Sequence, residues 1–140
     1  MKKTVICIVS TAAAFVLATA LNIHNMIWGG TPSVLGLVFS LVFCACLFVL
    51  PAVAKNRAFA VVSACYAAFS AIASTAGLLA VKGIISGAVV SVVVSPLTAF
   101  CGLSYIMSDY SVFYSVLIAF TLIAALNLIL TARKPAAAKA

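Results

Sequence analysis

Long apolar stretches separated by short polar connectors dominate the pattern of this sequence. An α-helix rises about 1.5 Å per residue, so about 20 apolar residues cross a hydrocarbon core roughly 30 Å thick. The stretches that reach this length are residues 4–23, 33–54, 58–81, 83–107 and 111–131. The pattern therefore predicts an all-α, integral membrane helical bundle of about five transmembrane segments, forming a single transmembrane domain over residues 1–140.

The composition supports the same interpretation. Hydrophobic residues make up 67% of the chain and charged residues 6%, against about 25% charged residues in an average soluble domain. The eight basic residues and the single acid give a net charge of +7, but the basic residues lie at segment ends, as orientation signals and lipid-headgroup contacts do. We therefore expect the lipid bilayer, and not nucleic acid, as the partner of this charge.

The amino terminus has two interpretations. Lys2 and Lys3, a long apolar run and the small residues 18–20 have the layout of a secretory signal, yet the apolar run exceeds the usual length of a signal core. We favour an uncleaved first span. The short basic start is typical of a protein of the bacterial inner (plasma) membrane.

Two topologies differ in their charge balance. Five full spans place four basic residues on each side of the membrane, which gives no orientation bias. If residues 83–107 instead enter and leave on the outer side, seven basic residues lie inside and only Lys82 lies outside, as the positive-inside rule prefers. The length of this stretch favours five spans, and four spans plus a re-entrant segment at 83–107 is the alternative.

Polar residues mark two connectors. Residues 22–32 hold the only His, the only Trp, two adjacent glycines and a Pro, so we predict an outer interfacial loop with Trp28 at headgroup depth and His24 in solvent. Asp109 separates the last two stretches, where it is expected to end one helix or to cap the next.

Small residues follow one side of the third stretch and continue into the fourth. Contact between helices in lipid depends on close backbone approach, which small residues permit. Steps of three and four residues in the third stretch, and of four in the fourth, predict a small-xxx-small helix-packing face. Its members are Ser63, Ala67, Ser70, Ser74, Gly77, Gly83, Gly87 and Ser91.

Pro96 interrupts the fourth stretch. Proline cannot donate a backbone hydrogen bond, so the helix must kink or break there, with the hydroxyls of Ser95 and Thr98 near the freed groups. A broken helix is tolerated where protein or a water-filled cavity surrounds it. We favour a kinked packing helix over a lining of a pore.

The residues for most site chemistries are missing from the sequence. The stretches contain no charged residue, and the chain has one acid and one His, too few for a metal, a cofactor or a catalytic set. The cysteines lie inside apolar stretches, where a thiol behaves as a small hydrophobe. The leading hypothesis is a non-catalytic accessory or assembly subunit that forms a homo-oligomer or binds a partner membrane subunit; the alternative is a small oligomeric channel or transporter for an uncharged or anionic solute.

Overall fold

The computed structural model describes residues 2–28, 30–86, 92–107 and 109–133. Four long α-helices are present, α1 (Lys2–Trp28), α2 (Val34–Ala54), α3 (Arg57–Val81) and α4 (Tyr110–Arg133), with a 3-10 helix at Ser95–Ile106. The long helices are each apolar and long enough to cross a membrane, and a shorter apolar helix covers Val92–Ile106. The predicted all-α bundle of about five helices is confirmed, and the chain is an integral membrane protein.

Polar side chains determine where the helices begin. The Ser33 hydroxyl accepts a hydrogen bond from the backbone N–H of Gly36 at the start of α2, and the Asn56 side chain accepts one from Phe59 at the start of α3. Lys55, with φ of 50°, ends α2 in the left-handed conformation. These bonds satisfy N–H groups that a helix start leaves free. The connection between α2 and α3 consists of Lys55 and Asn56.

The first helix is longer than the sequence pattern predicted. Residues 22–28 were expected in an outer loop, but α1 continues through Trp28. The physical reason is non-local, because the Asn22 side chain is fully buried and its amide bonds to groups of α1 and α2. A polar residue with partners on a neighbouring helix does not need water.

The long helices alternate in direction. Ile8 near the start of α1, Leu47 near the end of α2 and Phe59 near the start of α3 line the same groove. In α3 and α4, Gly77 lies against Tyr114, so the end of α3 meets the start of α4. The four long helices therefore run up, down, up and down.

This alternation places both ends of the segment 83–107 on one side of the bundle. Arg57 at the start of α3 and Arg133 at the end of α4 border one groove, whereas Lys82 and Asp109 lie at the opposite end, beside the end of α3 and the start of α4. We call the first the basic end and the second, after its predicted side of the membrane, the outer end. Among the described residues, this agrees with the alternative that the sequence left open: four long helices, and a shorter helix whose last residue lies at the same end of the bundle as the end of α3.

Candidate functional site

The 3-10 helix lies in the groove between α1 and α2, beginning halfway along the bundle and ending at the outer end. It has 12 residues, whereas such helices rarely exceed three or four. With three residues per turn, positions three apart share a face. Its sequence follows this period, with small Ala99 and Gly102 on one face and larger Leu97 and Phe100 on the next.

A chain of buried hydrogen bonds joins α1, α2 and the 3-10 helix. The Asn22 amide Nδ2 donates to the Ser40 hydroxyl at 3.2 Å, and that hydroxyl donates to the backbone carbonyl of Ala99 at 2.7 Å. Asn22 and Ser40 are both fully buried. Since Ala99 belongs to the 3-10 helix, these two side chains hold that helix against α2.

Glycines allow the close approach at this crossing. A Cβ on Gly102 would overlap the backbone carbonyl of Gly36, and a Cβ on Gly36 would overlap the Oδ1 atom of Asn22. The backbones of α2 and the 3-10 helix are therefore in direct contact. We call Asn22, Gly36, Ser40, Ala99 and Gly102 the crossing site.

One aromatic ring from every helix meets at the centre of the bundle. The ring centroids of Phe43 and Phe100 are 5.3 Å apart, those of Phe15 and Tyr66 5.8 Å, and those of Phe100 and Phe120 6.3 Å. These distances and the mostly tilted ring planes are typical of favourable aromatic pairs. The five rings, which we call the aromatic cluster, fill the interior where the 3-10 helix begins.

The predicted helix break at Pro96 is bound to this cluster. The Tyr66 hydroxyl donates to the Pro96 carbonyl at 2.9 Å, and the Thr98 hydroxyl donates to the Ser95 carbonyl at 2.6 Å. Thr98 is buried, whereas Ser95 is exposed on the outside of the 3-10 helix. The break is therefore a change from the α-helical residues 92–94 to the 3-10 helix that starts at Ser95, and its hydroxyls bond to backbone carbonyls.

The small residues of α3 lie together on its buried side. Ser63, Ala67, Ser70, Ser74 and Gly77 are all buried, and Ala67 packs with Ala124 and Ala125 of α4. The hydroxyls of Ser70 and Ser74 donate to backbone carbonyls one turn earlier in α3. The predicted face of α3 thus makes contacts within the bundle from Ala67 to Gly77, whereas Ser63 lines a groove beside α1.

The continuation of that face into the fourth stretch is different. Gly83 lies in the exposed turn after α3 with φ of +72°, and a Cβ there would meet nothing within 4 Å. Its membership of a packing face was wrong, since it follows the last turn of α3 and adopts a conformation that favours glycine. Gly87 and Ser91 lie outside the described residues.

The predicted interfacial residues all lie at the outer end. His24 and Trp28 are exposed on the last turns of α1, with Trp28 75% accessible. Asp109 is exposed, and its Oδ1 accepts a hydrogen bond from the Ser111 N–H at 2.8 Å, which caps α4. His24 lies beside Gly30 in the following connector.

Sequence reasoning missed Asn22, Ser40 and Tyr66 as a connected set. The sequence pattern predicts a loop at Asn22, and it assigns Ser40 and Tyr66 to no predicted packing face or site. One signal was present in the fourth stretch, where Ser95, Thr98, Cys101 and Ser104 recur every three residues. That period is typical of a 3-10 helix and not of an α-helix.

The donors and acceptors of the crossing site are largely used within the protein. Two buried atoms of the described chain, the Thr19 hydroxyl and Asn22 Oδ1, have no hydrogen-bond partner. Within the described residues, no group of three or more His, Cys, Asp or Glu side chains is arranged to hold a metal ion. The geometry is that of a polar clamp between helices.

No protein-family model matches the chain, and it has no significant match among the curated proteins or among the solved structures.

Proposed function

We propose that this protein is a non-catalytic accessory or assembly subunit of a membrane complex. The observation that carries the proposal is the aromatic cluster, in which Phe15, Phe43, Tyr66, Phe100 and Phe120 meet from the five helices. A centre filled by rings and closed by the crossing site suits a rigid scaffold. Its function then depends on the surface it presents to neighbouring helices.

One surface suits a partner helix. An apolar groove of about 270 Å³ lies between α1 and α3. The almost fully buried Phe43 and Leu47 of α2 and the exposed Val62 of α3 are among the residues that line it. Small residues, Ala12 and Ser63, line its walls, and small residues favour close helix contact in lipid. We propose that a helix of a second copy or of a partner membrane subunit packs there, in a bacterial inner membrane.

Site-specific photocrosslinking in cells tests this role. A photoreactive residue at Val62 should give a crosslinked product whose mass has increased by that of one protein chain, whereas the same residue at Ile72 should not. Val62 and Ile72 are matched, because both lie on α3 and each is 66% exposed, but of the two only Val62 lines the groove. Equal protein adducts at both positions, or adducts with lipid alone at Val62, would contradict the proposal.

A second candidate is a small channel or carrier for an uncharged or anionic solute. It is favoured by the 3-10 helix that begins halfway along the bundle, since broken helices at membrane depth commonly line solute paths. The unpartnered Asn22 Oδ1 lies beside it. Glycerol or chloride flux in liposomes, present in the wild type and lost in Ser95→Val/Thr98→Val, would favour this candidate over the scaffold.

A further inference from the structure

A second groove, of about 300 Å³, opens between α3 and α4 at the basic end of the bundle. Val61 and Ala68 of α3 and Ile129 and Ala132 of α4 form its apolar walls, and Arg57 and Arg133 border it. The alanines leave space that larger side chains would fill. The groove therefore joins an apolar surface to two guanidinium groups.

The charge of these arginines is not balanced by a side-chain carboxylate of this chain. The only acid in the sequence is Asp109, which precedes α4, while Arg133 ends it. A helix of that length separates them by roughly 36 Å at 1.5 Å per residue. Both arginines are exposed, at the depth where a helix end meets lipid headgroups.

Guanidinium groups are suited to phosphate, because their N–H donors match two phosphate oxygens at once. Basic pockets between membrane helices on the positively charged side are suited to anionic headgroups. By contrast, the groove between α1 and α3 has no charged lining residue among those described. Charge and shape therefore point to an amphiphilic anion at the α3–α4 groove.

We propose that the α3–α4 groove binds one anionic phospholipid, with its phosphate between Arg57 and Arg133 and one acyl chain along Val61 and Ile129. This binding is independent of the proposed assembly role, because it uses a different groove. A free phosphate would contact only the arginines, whereas a phospholipid uses the apolar walls as well.

Native mass spectrometry of the full-length protein in neutral detergent tests the proposal. Phosphatidylglycerol should be retained in preference to phosphatidylcholine, and Arg57→Gln/Arg133→Gln should weaken its retention by about tenfold or more, given the contribution of each basic residue near a headgroup. Lys2→Gln/Lys3→Gln is the matched control, since it removes two charges from the same end of the bundle. We expect the control to change retention less than about twofold, because those lysines lie on α1, away from this groove.

A second variant separates the apolar walls from the charge. Ala68→Leu keeps both arginines but occupies the groove, at a position exposed enough to accept a larger side chain, and it should also weaken retention of phosphatidylglycerol. Equal losses in the two charge variants, or unchanged retention in Arg57→Gln/Arg133→Gln, would overturn the proposal. The proposal would also be overturned if millimolar glycerol 3-phosphate displaced the lipid and Ala68→Leu had no effect on retention. That result would identify a site for free phosphate.

Discussion

Gly102 packs directly on the backbone carbonyl of Gly36, at a point where a Cβ on Gly102 would overlap that carbonyl. This contact lets the Ser40 hydroxyl, one turn further along α2, reach the Ala99 carbonyl at 2.7 Å. Close backbone approach and the buried hydrogen bond are thus two parts of the same crossing. In lipid, where apolar burial gives helices little reason to associate, both contribute to holding the 3-10 helix in place.

Gly102→Ala is expected to destabilise the protein by about 1–3 kcal/mol, the usual cost of forcing atoms into a packed interior. The overlap is with backbone atoms, so no side-chain rotation relieves it. Thermal unfolding in a mild detergent, followed by circular dichroism, measures the effect.

Ser95→Ala is the control for that variant. Ser95 belongs to the same 3-10 helix but is exposed, and Thr98 bonds to its backbone carbonyl, which alanine retains. If both variants melt at the wild-type temperature, the space at Gly102 accepts a Cβ and the backbone contact with Gly36 is not tight.

Ser40→Ala is expected to cost roughly 0.6–2 kcal/mol, the range for hydrogen bonds between membrane helices. The change removes the acceptor of Asn22 and the donor to Ala99 together. Ser74→Ala is a matched control, since Ser74 is also fully buried but bonds to a carbonyl of its own helix. The same unfolding measurement should give a clearly larger loss for Ser40, and equal losses would argue against a specific role of the crossing site.

Gly77→Ala tests the contact between α3 and α4. A Cβ on Gly77 would overlap the ring of Tyr114, so we expect a loss of about 1–3 kcal/mol in the free energy of unfolding. In a Tyr114→Leu background the same change should cost much less, because the ring is gone. An equal cost in both backgrounds would show that the two residues are not coupled.

The helices of this bundle are predictable where their determinants are local. Lengths of apolar sequence located α2, α3 and α4 well, and the steps of three and four residues from Ser63 to Gly77 identified the side of α3 that is buried. These two predictions depend on the period and the rise per residue of an α-helix, which can be applied to a single sequence. The end of α1 was placed too early because two of the three hydrogen-bond partners of the buried Asn22 amide lie on α2.

The crossing site was not predictable for the same reason. Ser40 lies 59 positions from Ala99. Gly36, Ser40 and Cys44 recur every four residues, but this spacing does not indicate which segment they contact. The 3-10 helix was predictable in principle, because Ser95, Thr98, Cys101 and Ser104 recur every three positions. The predictions for the apolar stretches all used the α-helical period of about 3.6 residues. Its place in the bundle depends on helix directions, which length alone does not determine.

The side of the membrane that each helix end occupies is the remaining prediction. Arg57 and Arg133 border one groove, so α4 must return to the end at which α3 begins. The positive-inside rule predicts Lys82 outside the cytoplasm and Arg133 inside it. A reporter that is active only outside the cytoplasm should therefore be active when fused after Lys82, and one that is active only in the cytoplasm should be active when fused after Arg133. Asp109→Cys should react with a membrane-impermeant thiol reagent from the outside. Five full spans would instead place Asp109 inside and the carboxyl terminus outside. If Asp109→Cys does not react from the outside and the carboxyl terminus lies outside, the antiparallel pairing of α3 and α4 is contradicted.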